Sequence, residues 1–203
     1  MKKVLLVLLV AVFAIPTFQS CKKGENDPSI SLRSRKARLV GEWKLSAGTI
    51  EKKIGNTVYD FSYDGTNCVT TGLISATTSY TENISIIKDG TFTQTIFDDG
   101  KKIVYEGNWY FLGANKAEDI KNKECVNFVF SKCTYTPAGG TPTETNYTGF
   151  YYDQHIIIPP INEGDGFTWQ LDELKNKEII VKYNFSKKTS ATDSFTGTVT
   201  YIQ

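Results

Sequence analysis

The sequence is poor in the residues that most catalytic and metal sites use. It contains a single histidine, His155, followed by three isoleucines, and no Gly-x-Ser-x-Gly or comparable nucleophile motif accompanies it. The cysteines lack the Cys-x-x-Cys spacing that would set ligands on one side of an ion; they are Cys21, Cys68, Cys125 and Cys133. The sequence therefore predicts no catalytic residue, no metal site, no cofactor and no enzyme activity.

An excess of charge of one sign is also missing. The chain has 23 basic and 22 acidic residues, for a formal net charge of +1. Nucleic-acid-binding proteins carry a basic face or stripe, so this balance argues against a nucleic-acid partner. The acids lie mainly in predicted turns, and no pair is placed at the separation of about 5–9.5 Å that glycoside hydrolysis needs. Gly139-Gly140 leads into Thr-Pro and not into a helix, which excludes a phosphate-binding loop there.

The first twenty residues have the pattern of an export signal. Lys2 and Lys3 precede an almost purely aliphatic run from Val4 to Ile15. Twelve residues in a helix rise only about 18 Å, which is short of the roughly 30 Å hydrocarbon core of a bilayer. Residues 1–20 are therefore predicted to be a signal peptide and not a membrane-spanning helix.

Ser20 and Cys21 resemble the end of the lipobox of bacterial lipoproteins. In that family the cysteine thiol is acylated, with palmitate among the acyl chains, and becomes the new N-terminus. The resemblance implies lipid attachment at Cys21 and an outer-membrane anchor in the bacterial cell envelope, on either the periplasmic or the surface face. Phe18 and Gln19 stand where the family has leucine and a small residue, so ordinary secretion with an unmodified Cys21 is the alternative.

A polar segment follows the cysteine and precedes a single domain. Residues 21–31 are predicted to be a flexible tether, since they are polar and lack apolar periodicity. Loss of residues 1–20 removes Lys2 and Lys3 and leaves a net charge near −1. Residues 32–203 are long enough to bury one hydrophobic core and are predicted to form one domain.

Alternating apolar residues predict that this domain is built from antiparallel strands. A short helical segment is expected at 31–38, followed by a strand in which Trp43 and Leu45 share one face. Asp89-Gly90 and Asp99-Gly100 predict tight hairpins, for which Asp-Gly is a preferred type I′ pair. Further strands are predicted at 59–63, 82–88, 91–98, 101–112, 126–130, 151–158, 167–171, 178–185 and 195–202. This all-β pattern favours an antiparallel barrel or a sandwich.

Three cysteines of the domain leave the disulfide pattern open. Cys125 and Cys133 would lie about 26 Å apart in one straight strand, well beyond bonding distance. They can pair only if the chain turns back between them, and Cys68 is an equal candidate partner for either.

Gly41-Glu42-Trp43, just after the helical segment, resembles the Gly-x-Trp signature of the lipocalins. The run from Phe167 to Leu174, followed by Glu178 to Val181, resembles the late strand pair of lipocalin-like domains in lipoproteins of the Bacteroidetes type. The resemblance implies an up-and-down barrel of about 8–10 strands in which Trp43 plugs the closed end. Lipocalins place an arginine from the last strand over that tryptophan, and Phe195–Gln203 contains none, so another barrel or a sandwich is the alternative.

The aromatic residues define the candidate binding site. Small barrels either fill with side chains or hold one ligand, so inward aromatics could line an apolar cup. The resemblance implies that a small hydrophobic or amphiphilic ligand binds there, and the candidate residues are Trp43, Tyr59, Phe61, Tyr63, Tyr105 and Trp109. The alternative is an envelope interaction or accessory module that binds glycan or protein through its outer surface, with a filled core and an exposed aromatic patch.

Overall fold

The computed structural model describes residues 26–28, 33–73, 75–146, 166–186 and 194–203. The predicted signal peptide, Cys21, His155 and the strand predicted at 151–158 lie outside these residues. The elements, in chain order, are α1 (Arg35–Leu39), β1 (Gly41–Ile54), β2 (Thr57–Tyr63), β3 (Asn67–Thr71), β4 (Ala76–Ile86), β5 (Thr91–Asp98), β6 (Lys101–Phe111), a 3-10 turn (Lys116–Glu118), β7 (Cys125–Thr136), β8 (Thr143–Asn146), β9 (Gly166–Leu174), β10 (Glu178–Ser186) and β11 (Ser194–Ile202).

Ten of the strands close into an antiparallel barrel. Consecutive strands are hydrogen-bonded neighbours from β1 to β7, β7 continues to β9, and β11 returns to β1. The short β8 lies outside this circuit, paired with the last part of β7. The prediction of an all-β, up-and-down antiparallel barrel with a short N-terminal helix is confirmed.

The barrel is wider at one end than at the other. At its start, from Gly41 to Lys44, β1 pairs directly with β4. From Gly48 to Ile54 it pairs instead with β2, so the hairpin of β2 and β3 is inserted between β1 and β4. Towards the other end, β2 and β3 therefore add two strands to the wall. Because barrel diameter grows with strand number, the insertion widens the interior on that side.

A bulge in β1 interrupts the alternation that Trp43 and Leu45 begin. The register with β11 shifts between Leu45 and Ala47, so the chain gains one residue at Ser46. An extra residue inverts the alternation of inward and outward side chains. Ile50 and Lys52 consequently take the inward positions that an unbroken pattern from Trp43 would not give them.

The two predicted Asp-Gly hairpins both form, but with different turns. Asp99 and Gly100 have φ values of 48° and 79°, as a two-residue type I′ turn requires. The first hairpin has a longer connection, from Ile86 to Thr91, in which only Gly90 has a positive φ. The Asp89 carboxylate there accepts hydrogen bonds from the backbone N–H and the hydroxyl of Thr91. The side chain, and not a type I′ backbone, sets this turn.

The helix α1 covers the narrow end of the barrel, which is called the helix end below. The Ser34 hydroxyl caps α1 by accepting a hydrogen bond from the Ala37 N–H. Leu39, the last residue of the helix, is fully buried, and its carbonyl accepts the indole N–H of Trp43 at 2.7 Å. The guanidinium of Arg38, on α1, donates to the carbonyl of Leu174 at the end of β9.

Candidate ligand site inside the barrel

The wall of the barrel brings polar side chains into an otherwise apolar interior. On β4, Tyr80 and Glu82 share the inward face with Ile84 and Ile86. On β5, Gln94 lies on the same face as Phe92 and Ile96. Glu82 and Gln94 are both buried. Period-2 alternation in the strands is what places them inside.

Glu82 is the centre of a hydrogen-bonded cluster formed by three strands. Its Oε1 accepts the Gln94 amide at 2.7 Å and the Tyr201 hydroxyl at 2.8 Å. Its Oε2 accepts the Tyr80 hydroxyl at 3.1 Å. We call Tyr80, Glu82, Gln94 and Tyr201 the Glu82 cluster. It ties β4, β5 and β11 together across the barrel interior.

Burial dominates the ionisation of this cluster. Removal from water raises the pKa of Glu82 above its usual value, although the three donors favour the charged form and oppose the shift. Burial also raises the pKa values of the neighbouring tyrosines, with the Glu82 carboxyl adding to the effect at each; these are Tyr63, Tyr80, Tyr183 and Tyr201. The tyrosine hydroxyls around the Glu82 carboxyl group therefore remain protonated. They can donate hydrogen bonds to the carboxyl group but cannot neutralise its charge.

Gln94 has an acceptor that the described part of the chain does not satisfy. Its side chain is fully buried, and its Oε1 makes no hydrogen bond to any described residue. An unsatisfied buried acceptor costs about 1–3 kcal/mol, and such groups in folded proteins call for an explanation. A donor from a bound molecule would satisfy it. Because Glu82 is adjacent, one polar group could contact both side chains.

Aromatic side chains line the interior between this cluster and the wide end. Tyr59, Phe61 and Tyr63 alternate along the inward face of β2, and the ring of Tyr63 packs 5.2 Å from that of Tyr80. Tyr63 is buried, whereas Tyr59 and Phe61, nearer the wide end, are only partly buried. On the neighbouring strands, the Lys52 ammonium lies 5.4 Å from the ring of Phe195. The exposure of these inward-facing rings therefore increases towards the wide end.

The remaining predicted site residues lie elsewhere in the barrel. Tyr105 stacks on Phe130 at 4.3 Å in a cluster with Ile96, Ile103 and Cys133, beside the Glu82 cluster. Trp43 and Trp109 are both at the helix end, where the Trp109 indole N–H donates to the Ile87 carbonyl at 2.8 Å. The structure therefore groups Tyr59, Phe61 and Tyr63, places Tyr105 on an adjoining wall, and places the two tryptophans in the plug.

Sequence reasoning missed the polar members of this site. Glu82 alternates in phase with Ile84 and Ile86, and Gln94 lies between Phe92 and Ile96 in the same phase. This alternation could have identified them, because a polar side chain on the inward face of a strand is buried and must have hydrogen-bond partners. The partner Tyr201 was not predictable, since it is 119 residues away in the chain.

A concavity lies on the outside of the barrel. It has a volume of about 380 Å³ and crosses β11, β1, β2 and β3 at the wide end. Most of its lining residues point outward, among them two acids, Glu51 and Asp60, and Ile50 and Phe61 also contribute to the lining. The exposed aromatics Phe97 and Tyr110 lie on β5 and β6, so they do not contribute to it.

The three described cysteines lie on β3 and β7. Cys68, Cys125 and Cys133 are all buried, and no disulfide bond is described among them. Within the described ranges, no group of three or more His, Cys, Asp or Glu side chains could hold a metal ion. No helix among those residues is long and apolar enough to span a bilayer.

In comparisons with protein-family models, with curated proteins and with solved structures, nothing matched this chain.

Proposed function

We propose that this is a lipid-anchored protein of the bacterial cell envelope, held at Cys21, whose lipocalin-like barrel binds a small amphiphilic molecule without chemical conversion. The observation that carries the proposal is the Glu82 cluster, a buried polar group beside an aromatic wall whose rings become more exposed towards the wide end. Apolar sites with a few well-placed polar groups are the usual form of small-molecule sites.

The two parts of the site suit two parts of one ligand. The apolar chain would lie against Tyr59, Phe61 and Tyr63, where each Å² of apolar surface removed from water contributes about 25 cal/mol. The polar end would reach the Glu82 carboxyl group and the Oε1 of Gln94, both of which accept hydrogen bonds. The ligand is therefore expected to carry an N–H or O–H donor, and an amine is favoured over a carboxylate because it does not repel Glu82.

Dodecylamine is expected to bind the protein more tightly than dodecanoate. Glu82→Gln is expected to weaken dodecylamine binding about tenfold or more, because a hydrogen bond to a charged group contributes about 1.5–3 kcal/mol. Titration followed by tryptophan emission measures this, because Trp169 packs 4.7 Å from Tyr201 of the cluster. Glu51→Gln, on the outer face, is the matched control and should bind like the wild type. Equal dodecylamine affinity in the wild type and Glu82→Gln would sink the proposal.

The outer concavity favours one second candidate, an interaction module that binds glycan or protein through its outer surface. The carboxylates of Glu51 and Asp60 in its lining are suited to hydrogen bonding with hydroxyl-rich or basic partners. This candidate predicts the reverse result. Glu51→Gln and Asp60→Asn would weaken binding of the partner, and Glu82→Gln would not.

A further inference from the structure

The first described residues are bound to the helix end of the barrel. The Asn26 backbone N–H donates to the Asp172 carbonyl at 3.1 Å, and its side-chain amide donates to the Asp172 carboxylate at 2.9 Å. Asp27 accepts the backbone N–H of Leu174 at 2.9 Å. Part of the segment predicted as a tether is thus attached to the end of β9.

This attachment includes a buried ion pair. The Asp27 carboxylate contacts the guanidinium groups of Arg35 and Arg38 on α1, and its side chain has no exposed surface. Burial and the neighbouring Arg38 lower the pKa of Arg35 to about 10. The negative charge of Asp27 offsets the repulsion between the two arginine charges. Asp27 is therefore a fixed point at the helix end.

Little chain separates this fixed point from the proposed lipid. Cys21 and Asn26 are five residues apart in the sequence. Fully extended, such a segment spans at most about 18 Å. An acyl group on Cys21 would therefore hold the helix end within about 18 Å of the bilayer. This distance is less than the length of β1, whose 14 residues rise about 3.3 Å each.

The helix end also has the charge expected of a surface that faces anionic lipid. Exposed basic side chains lie beside α1 and on the turns that join strands at this end; they are Arg33, Lys36, Lys88, Lys116, Lys121, Lys123, Lys175 and Lys177. The turns themselves contain fewer acids, namely Asp89, Glu118, Asp119 and Glu124. The adjoining strand ends add Glu42, Asp172, Glu173 and Glu178, of which Glu173 and Glu178 pair with Lys175, so the basic excess lies in the turns. Of the described turns at the wide end, only the one with Asp99 carries a charge.

We propose that the helix end is a membrane-docking surface for anionic phospholipid headgroups, so that the wide end of the barrel opens away from the bilayer. The proposal rests on the lipid anchor at Cys21 in the proposed function. Basic residues near an anionic membrane each contribute about 1 kcal/mol, and an acyl anchor with a basic patch binds more stably than either alone. A ligand would then enter the barrel from the aqueous space and not directly from the membrane.

Lysine labelling of the lipidated protein on vesicles tests the orientation. The vesicles contain phosphatidylglycerol and phosphatidylethanolamine, and a membrane-impermeant amine reagent is followed by peptide mass spectrometry. Relative to the same protein in neutral detergent micelles, Lys88, Lys121 and Lys177 are expected to react severalfold more slowly. Lys53, near the wide end and exposed, is expected to react at an unchanged rate. Protection of Lys53, or unchanged rates at all four lysines, would overturn the docking surface.

Two controls separate this inference from the anchor itself. The mass of the N-terminal peptide reports acylation of Cys21, and an unmodified thiol there would refute the anchor in the proposed function. Acylated Cys21 with unprotected helix-end lysines would refute only the orientation. In a second variant, twenty Gly/Ser residues inserted after Lys23 add a flexible linker with a root-mean-square span of about 25 Å. This variant is expected to lose most of the protection of its helix-end lysines from labelling. Equal protection in both proteins would also overturn the proposal.

Discussion

Asp27→Ala is expected to lower the free energy of unfolding by about 3–5 kcal/mol, because removal of one partner of a buried ion pair leaves an uncompensated buried charge. The substitution would leave Arg35 and Arg38 close together on α1 and would remove the acceptor of the Leu174 N–H. Urea unfolding of the mature Cys21→Ser protein, followed by tryptophan fluorescence, measures the loss.

Asp60→Ala is the matched control for this prediction. Asp60 is an exposed carboxylate on the outer face of β2. Surface substitutions of this kind usually change stability by less than about 0.5 kcal/mol. If Asp27→Ala lowered the free energy of unfolding no more than Asp60→Ala, the first described residues would not be firmly attached to the barrel. The inference of a short distance between Cys21 and the helix end would then be unsupported.

Glu82→Ala is expected to destabilise the fold by about 3 kcal/mol or more, since each buried donor that loses its acceptor costs about 1–3 kcal/mol. Three donors lose their acceptor at once: the hydroxyls of Tyr80 and Tyr201 and the amide of Gln94. Glu51→Ala removes an outward carboxylate of the same size and serves as the control. A loss no larger than that of Glu51→Ala would show that the cluster adds nothing to stability.

The pH dependence of stability gives a second measure of the same group. Burial raises the folded-state pKa of Glu82 above its ordinary value of 4.5, so the folded protein binds this proton more tightly than the unfolded chain does. The stabilisation from this proton is fully present below pH 4.5 and is lost as the pH rises through the folded pKa. Glu82→Gln removes it, so the stability of the wild type relative to this variant should fall as the pH rises from 4.5. A relative stability that increased over that range would mean that the pKa is lowered.

The architecture was predictable because its signals are local. Alternating side chains and the two Asp-Gly pairs place most of β4, β5 and β6 without any long-range information. The short strands were missed for a physical reason. β3 has five residues, and all four side chains of β8 are exposed, so neither has an apolar face that would distinguish it from a loop.

The site was less predictable because it depends on which strands become neighbours. The three aromatics of β2 were identified from alternation within one strand. The Glu82 cluster, in contrast, requires β11 to approach β4, and the attachment of Asp27 requires contact with Leu174, 147 residues further along the chain. Pairing over such distances is determined by barrel closure, and a single strand carries no pattern that reports it.

The central claim is that the barrel interior holds an amphiphile, and native mass spectrometry of the wild-type protein, extracted gently from the membrane, tests it most directly. We expect part of the wild-type protein to carry a noncovalent adduct of lipid-like mass, in addition to any acyl groups on Cys21. This adduct should be depleted in Glu82→Gln and retained in Glu51→Gln. A wild-type protein that carries no such adduct, and acquires none when dodecylamine is added, would contradict it.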